Sequence, residues 1–128
     1  MRVLVTGDRH YKDRHIVGVL LDGFRSLSQD AFEDLVVIDG GASGADSFAR
    51  EWGLSYPDVE HITVEADWDR YGKGAGPIRN REMHDGYKPD VVLAFHDDLL
   101  ASKGTRDMVD YARSKGTVVY HIRREFSA

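Results

Sequence analysis

The stretch Leu35-Val36-Val37-Ile38-Asp39-Gly40-Gly41-Ala42-Ser43-Gly44-Ala45-Asp46 decides the fold of this chain. Its first four residues are apolar and mostly β-branched, which is typical of a strand buried on both faces of a sheet. Three glycines then separate this strand from a helical pattern that starts at Ala45. A buried strand that passes through a glycine-rich turn into a helix is the repeating unit of a parallel α/β sheet.

The same order of strand and helix recurs along the whole chain. Apolar runs predict further strands at residues 3–6, 91–95 and 117–120, and a weaker alternating run at residues 61–65 predicts a strand at the edge of the sheet. Helical patterns lie between them, at residues 16–27, 45–52, 77–84 and 105–112. We therefore predict a single Rossmann-like domain over residues 1–128, with a doubly wound, mainly parallel five-stranded sheet and helices on both faces.

Composition narrows the classes of function. The formal net charge of −5 argues against broad adhesion to nucleic acid, which needs a basic surface. The 128 residues include no cysteine, which excludes disulfides and cysteine metal sites and fits a reducing compartment. No apolar run is long enough to cross a membrane, and the chain does not open on a signal-peptide pattern. We expect a cytoplasmic protein without a membrane partner.

The glycine-rich turn is a candidate phosphate cradle. Glycines at a helix amino terminus allow backbone amides to approach an anion closely, and the helix dipole favours negative charge there. The alternative is that the glycines only permit a tight turn. The spacing matches neither the dinucleotide-binding nor the Walker motif, so we expect no nicotinamide cofactor and no P-loop chemistry. The candidate residues in this turn are Gly40, Gly41, Ser43, Gly44 and Asp46.

Three other segments also follow a predicted strand and precede a predicted helix, so they should meet the glycine-rich turn at one edge of the sheet. Pro77 is expected as the first residue of its helix, and Thr105 is expected either to cap its helix or to bind phosphate. The adjacent residues His96, Asp97 and Asp98 rarely converge on one ion, so no metal site is expected. The candidate ligand-binding residues of these segments are Gly7, Asp8, Arg9, Arg79, Asn80, Lys103, Gly104 and Thr105.

Three motifs, in this order, resemble those of the SLOG superfamily, and most closely its small YspA-like members (the DUF2493 group). They are Gly40-Gly41-Ala42-Ser43-Gly44-Ala45-Asp46, Gly76-Pro77-Ile78-Arg79-Asn80-Arg81-Glu82-Met83 and Lys103-Gly104-Thr105-Arg106-Asp107-Met108. The resemblance implies a Rossmann-like sheet that binds nucleotides or nucleotide-derived ligands. Its catalytic relatives, the LOG phosphoribohydrolases, release a base from a nucleoside 5′-monophosphate and commonly form dimers. The resemblance therefore implies a homodimer or a higher homo-oligomer.

The catalytic pattern of the LOG relatives is only partly present. The LOG pattern has an arginine four positions before a methionine, and Arg79 and Met83 match this pair. The catalytic glutamate of the LOG pattern is replaced by Met108 in this chain. Asp107, one position earlier, is the nearest carboxylate, and one position on a helix rotates a side chain by about 100°. Arg79 and Asp107 are therefore the candidate catalytic residues. The sequence leaves open whether the protein is an enzyme.

Two functions are compatible with the sequence. The first is binding or sensing of a nucleotide or a nucleotide-derived phosphate ligand at the carboxyl edge of the sheet, with or without cleavage of its glycosidic bond. The second is binding of a nucleic-acid strand by Lys73, Arg79, Arg81 and Lys103, as in DNA-processing members of the wider superfamily, which the acidic composition disfavours.

Overall fold

The structure, a computed structural model, describes residues 1–124 and confirms the α/β class. Strands and helices alternate as the sequence predicts. Two short 3₁₀ turns, Gly72–Gly74 and Leu99–Ala101, precede the last two helices. In chain order the elements are β1 (Arg2–Gly7), α1 (Arg14–Asp30), β2 (Leu35–Asp39), α2 (Ala45–Leu54), β3 (Val59–Thr63), α3 (Trp68–Tyr71), α4 (Ala75–Tyr87), β4 (Val91–Phe95), α5 (Gly104–Ser114) and β5 (Val118–Ile122).

The five strands form one sheet in the order β3-β2-β1-β4-β5, and every neighbouring pair is parallel. This order confirms the doubly wound arrangement and the edge position of the third strand. That strand begins two residues earlier than predicted, because its pairing with β2 places Leu35 opposite Val59.

Apolar side chains cover both faces of the sheet. Along β1, Val3 and Val5 pack against α1 and α2 on one face, while Leu4 points to the other face. There it packs with Met83 of α4 and Met108 of α5. The continuous apolar runs in the sequence are thus explained by burial on both sides. No helix within residues 1–124 has the length and the hydropathy to cross a bilayer.

The segment between β3 and α4 holds a helix that was not predicted, and the prediction that the next helix begins at Pro77 is wrong. The unpredicted helix is the short helix α3, whose Asp67 side chain accepts a hydrogen bond of 3.1 Å from the amide of Arg70. Helix α4 begins at Ala75, so Pro77 is its third residue. A proline is tolerated there because the first amides of a helix have no intrahelical acceptor.

Candidate ligand-binding site

A crevice opens where the chain direction reverses between β1 and β4. These strands are neighbours, but the chain leaves β1 toward β2 and leaves β4 toward β5, on opposite sides. Ligands of doubly wound proteins bind outside the carboxyl ends of the strands at such a point. The cavity found there has a volume of about 440 Å³. It is lined by Thr6, Gly7, Asp8, Arg9, Ala42, Asp46, Arg79, Asn80, His96, Ala101, Ser102, Lys103, Gly104 and Thr105.

Most of the residues selected from the sequence meet at this cavity. Four of the candidate ligand-binding residues, all in the glycine-rich turn, do not line it: Gly40, Gly41, Ser43 and Gly44. Sequence reasoning did not select Thr6, Ala42, His96, Ala101 or Ser102, which do line it. Their position at the carboxyl end of a strand or on the connection that follows it is the signal that could have identified them.

The amides of the glycine-rich turn bind carboxylates of the turn itself. The amide of Gly40 donates to Oδ2 of Asp46 over 2.9 Å, and that of Ala42 donates to the same atom over 3.4 Å. The amide of Gly41 donates to Oδ1 of Asp39 over 2.7 Å. These three amides are therefore engaged within the protein rather than directed at an open anion site.

Two glycines allow backbone segments to cross closely beside the cavity. Gly44 has a φ of +75°, and a Cβ atom there would lie 2.2 Å from the carbonyl oxygen of Asp8. At Gly7, a Cβ atom would lie 2.6 Å from the carbonyl oxygen of Phe95 and 2.7 Å from Cβ of Ala45. Both glycines are thus required for packing of the crevice walls.

Asp46, at the start of α2, is the buried carboxyl group of the cavity. It is 5% exposed, and its Oδ1 atom has no hydrogen-bond partner within residues 1–124. Burial, together with the nearby Asp39, raises the pKa of Asp46 to about 7; the amides of Gly40 and Ala42, and Arg79, act in the opposite direction. At neutral pH this group therefore carries a proton for much of the time.

Asp39 lies behind Asp46 at the end of β2 and is fully buried. Its Oδ2 atom contacts Nε2 of His61 at 2.5 Å and accepts a hydrogen bond of 3.1 Å from Oγ1 of Thr63. This cluster was not predicted from the sequence. The signal was available, because His61 and Thr63 alternate along the strand that pairs with the end of β2.

Arg79 reaches from α4 across the carboxyl ends of β2 and β3. Its Nη1 atom donates to the carbonyl oxygens of Gly40 and, over 3.5 Å, of Val64, and its Nε atom donates to Oδ1 of Asn80 over 3.1 Å. Nη2 has no hydrogen-bond partner among the described residues. Burial lowers the pKa of Arg79, against the influence of Asp46 and Asp39. Arg79 thus fixes the backbone and also presents a cationic group to the cavity.

Asn80 joins α4 to the start of α5. Its Nδ2 atom donates to the carbonyl oxygen of Gly104 over 3.2 Å and to Oδ2 of Asp107 over 3.0 Å. The amide of Thr105 donates to Oγ of Ser102 over 3.1 Å, and the N-cap residue of α5 is Lys103, whose side chain makes no capping hydrogen bond. The prediction of Thr105 as the cap is wrong because α5 begins at Gly104, so Thr105 is already the second residue of the helix. Asn80 holds the amino terminus of α5 against the cavity.

Asp107, the candidate catalytic carboxylate, does not line the cavity. Both of its oxygens accept hydrogen bonds from Arg81, over 2.8 Å and 3.2 Å. Burial alone raises the pKa of Asp107, but the hydrogen bonds from Arg81 and Asn80 outweigh burial and leave the pKa below its ordinary value. Asp107 is therefore an ionised partner of Arg81 on the side of α5 that faces α4.

The charge of the cavity lining is mixed. Arg9, Arg79 and Lys103 supply three cations, and the amino terminus of the 11-residue helix α5 adds a partial positive charge. Asp8 and Asp46 are the two acidic residues of the lining. Within residues 1–124, no three histidine or acidic side chains are grouped so that they could hold a metal ion. The cationic side chains and the amino terminus of α5 can accept an anionic group of a ligand, and the polar side chains of the lining can form hydrogen bonds with a neighbouring group of that ligand.

Comparison with known proteins agrees with this architecture. Residues 1–71 match the family model described as YAcAr: YspA, cpYpsA-related SLOG family, and this range is more than half of the 128 residues. The chain belongs to this SLOG family. The SLOG match covers β1 to α3 with the glycine-rich turn, whereas Arg79 and Lys103 lie beyond it. The resemblance predicted from the sequence is confirmed.

A phage protein resembles this SLOG chain over nearly its full length. The gene 61 protein of Mycobacterium phage D29 is 39% identical over 125 residues, which cover 94% of this chain and 95% of the phage protein. No solved structure matches the chain significantly.

Proposed function

We propose that this SLOG protein binds a nucleotide or a nucleotide-derived phosphate compound in the cavity between β1 and β4. One observation carries the proposal: Arg9, Arg79 and Lys103 surround the same cavity as the amino terminus of α5. A helix amino terminus and cationic side chains together favour a phosphate group, because backbone amides and fixed charges both interact with its oxygens.

The size of the cavity supports a small ligand. A volume of about 440 Å³ lies within the range of ordinary ligand pockets. The lining also offers polar side chains that suit a sugar or a base, namely Asp8, Asp46, Asn80 and His96. A ligand whose phosphate binds at the amino terminus of α5, and whose sugar hydroxyls or base contact these side chains, would account for the whole lining.

Binding is favoured over cleavage of a glycosidic bond. Such cleavage needs a carboxylate close to the reacting sugar, to stabilise positive charge or to activate water. Asp107 lies outside the cavity and pairs with Arg81, and the helical position that matches the LOG glutamate holds Met108, which is fully buried in the core. Asp8 and Asp46 are the carboxyl groups of the cavity, but neither occupies the position of the LOG glutamate, so the proposal is a ligand-binding or sensing function without base release by Asp107.

The test compares nucleotides with their nucleosides by titration calorimetry. We expect each tight-binding 5′-monophosphate to bind at least tenfold more tightly than its nucleoside, since phosphate contributes the charge-assisted contacts. Lys103→Ala should weaken nucleotide binding, whereas Lys115→Ala, which removes the same charge at the other end of α5, should not. Equal losses in the two variants, or no binding by the wild type to any nucleoside monophosphate, would contradict the proposal.

A further inference from the structure

The two carboxyl oxygens of Asp46 have different surroundings. Oδ2 accepts hydrogen bonds from the amides of Gly40 and Ala42. Oδ1 is buried and has no partner within the described residues, although Asp46 belongs to the cavity lining. An unpaired buried polar atom costs free energy, and such an atom beside a cavity is readily explained by a contact made only when the cavity is filled.

Burial, and after it the charge of Asp39, favours the protonated form of Asp46. Asp39 lies behind it at the end of β2, and Asp8 shares the cavity with it after β1. Two cationic side chains, Arg79 from α4 and Arg9 after β1, line the same cavity as Asp46. Arg79 is the weakest of the influences on the pKa of Asp46, which lies near 7. Its Nη1 atom is engaged by the carbonyl oxygens of Gly40 and Val64.

His61, on β3, contacts Asp39 rather than Asp46, and His96 and Lys103 face the same cavity from the connections after β4 and before α5. A bound phosphate would add negative charge to a cavity that already holds Asp8. This added charge disfavours the ionised carboxylate of Asp46 further.

We propose that Asp46 binds the ligand as a carboxylic acid, with Oδ2 as the carbonyl oxygen held by the glycine-rich turn and with the hydroxyl at Oδ1 donating a hydrogen bond to an oxygen of the ligand. The proposal rests on the proposed function, because it assigns this contact to the phosphate-bearing ligand. An ionised carboxylate could only accept hydrogen bonds and would repel a phosphate oxygen. Above neutral pH, each binding event therefore takes up one proton from solvent. The affinity of the cavity for the ligand consequently falls as the pH rises.

The experiment measures binding of the four common nucleoside 5′-monophosphates to the wild type and to Asp46→Asn between pH 6.0 and pH 8.5. The asparagine side chain can accept from the same two amides and always offers a donor at the second position. The ratio of the two dissociation constants at each pH cancels the titration of the nucleotide itself. With a pKa of about 7 for Asp46, wild-type affinity should fall relative to the variant by about thirtyfold across this range, since only the protonated fraction binds.

Two results would overturn the inference: a ratio that does not change with pH, or loss of nucleotide binding by Asp46→Asn at pH 6.0. Failure of both proteins to bind any nucleotide at pH 6.0 would instead overturn the proposed function, and this inference with it. Carbon NMR of the free wild-type protein gives a readout independent of ligand. The carboxyl signal that is missing from Asp46→Asn should titrate near pH 7, and titration below pH 5 would overturn the inference whether or not a nucleotide binds.

Discussion

The amide of Gly40 donates a hydrogen bond of 2.9 Å to Oδ2 of Asp46, so the glycine-rich turn holds a carboxyl group of its own chain. The amide of Ala42 reaches the same oxygen. A turn that would otherwise cradle an external anion is thereby closed around a carboxyl group of the protein itself. In the proposed function we therefore expect phosphate to bind at Lys103 and the start of α5, which line the same cavity.

The stability of the protein should depend on the protonation of Asp46. Its pKa of about 7 in the folded state lies above the ordinary value of 3.8, so its contribution is complete below about pH 4 and is lost as the pH rises through 7. Each pH unit between the two values contributes about 1.4 kcal/mol. Asp46→Asn should therefore gain free energy of unfolding relative to the wild type, by about 4 kcal/mol between pH 4 and pH 8.

Urea unfolding at several pH values measures this difference. The matched control is Asp30→Asn, which removes an exposed carboxylate at the end of α1. A constant difference between Asp46→Asn and the wild type from pH 4 to pH 8 would contradict the assignment of a protonated Asp46.

Gly44→Ala should destabilise the fold itself. The added Cβ would lie 2.2 Å from the carbonyl oxygen of Asp8, and the φ of +75° is unfavourable for alanine. We expect a loss of about 2 kcal/mol or more in the free energy of unfolding. Gly23→Ala is the control, because a Cβ at this position in α1 meets no atom within 4 Å and should add about 0.5–1 kcal/mol. Similar stabilities of the two variants would contradict the close crossing at Gly44.

Asp107→Asn should act on stability and not on chemistry. The substitution removes the ion pair with Arg81, which is partly exposed, so a loss of about 0.5–1 kcal/mol is expected at pH 7. We expect no release of base from nucleoside monophosphates by the wild type or by the variant. Robust release by the wild type that Asp107→Asn abolishes would make Asp107 a catalytic residue.

The sheet could be predicted from the sequence because strands buried on both faces are continuous apolar runs, as at residues 35–38 and 91–95. The approximate place of the site followed from the same topology, since the strand-to-helix connections must meet at one edge. Arg9, Arg79 and Lys103, which were selected on this ground, line one cavity. The helix α3 was missed because a helix of four residues leaves little periodicity to detect.

The direction in which individual side chains and backbone amides point could not be predicted from the sequence. Glycine spacing does not reveal whether amides face a ligand or a carboxylate of the same turn, and here they face Asp46 and Asp39. The partner of Asp107 depends on how α4 packs against α5, which brings Arg81 to it. Contacts of this kind are set by tertiary packing and not by local pattern.

Single-stranded DNA should bind weakly. The cavity is lined by three cationic side chains, and the net charge of the chain is −5, so few phosphates can be contacted at once. Fluorescence anisotropy with a short oligonucleotide, at several salt concentrations, measures both affinity and salt dependence. Tight binding that weakens steeply with salt would favour the nucleic-acid alternative.

The most direct test of the central claim is amide NMR of the labelled wild-type protein, titrated with nucleoside 5′-monophosphates. Binding in the cavity between β1 and β4 should produce the largest shift changes at Asp8, Arg9, Gly104 and Thr105, which line it. The amides of β5, at the edge of the sheet, should change least. Absence of shift changes, or changes centred away from these residues, would contradict the account.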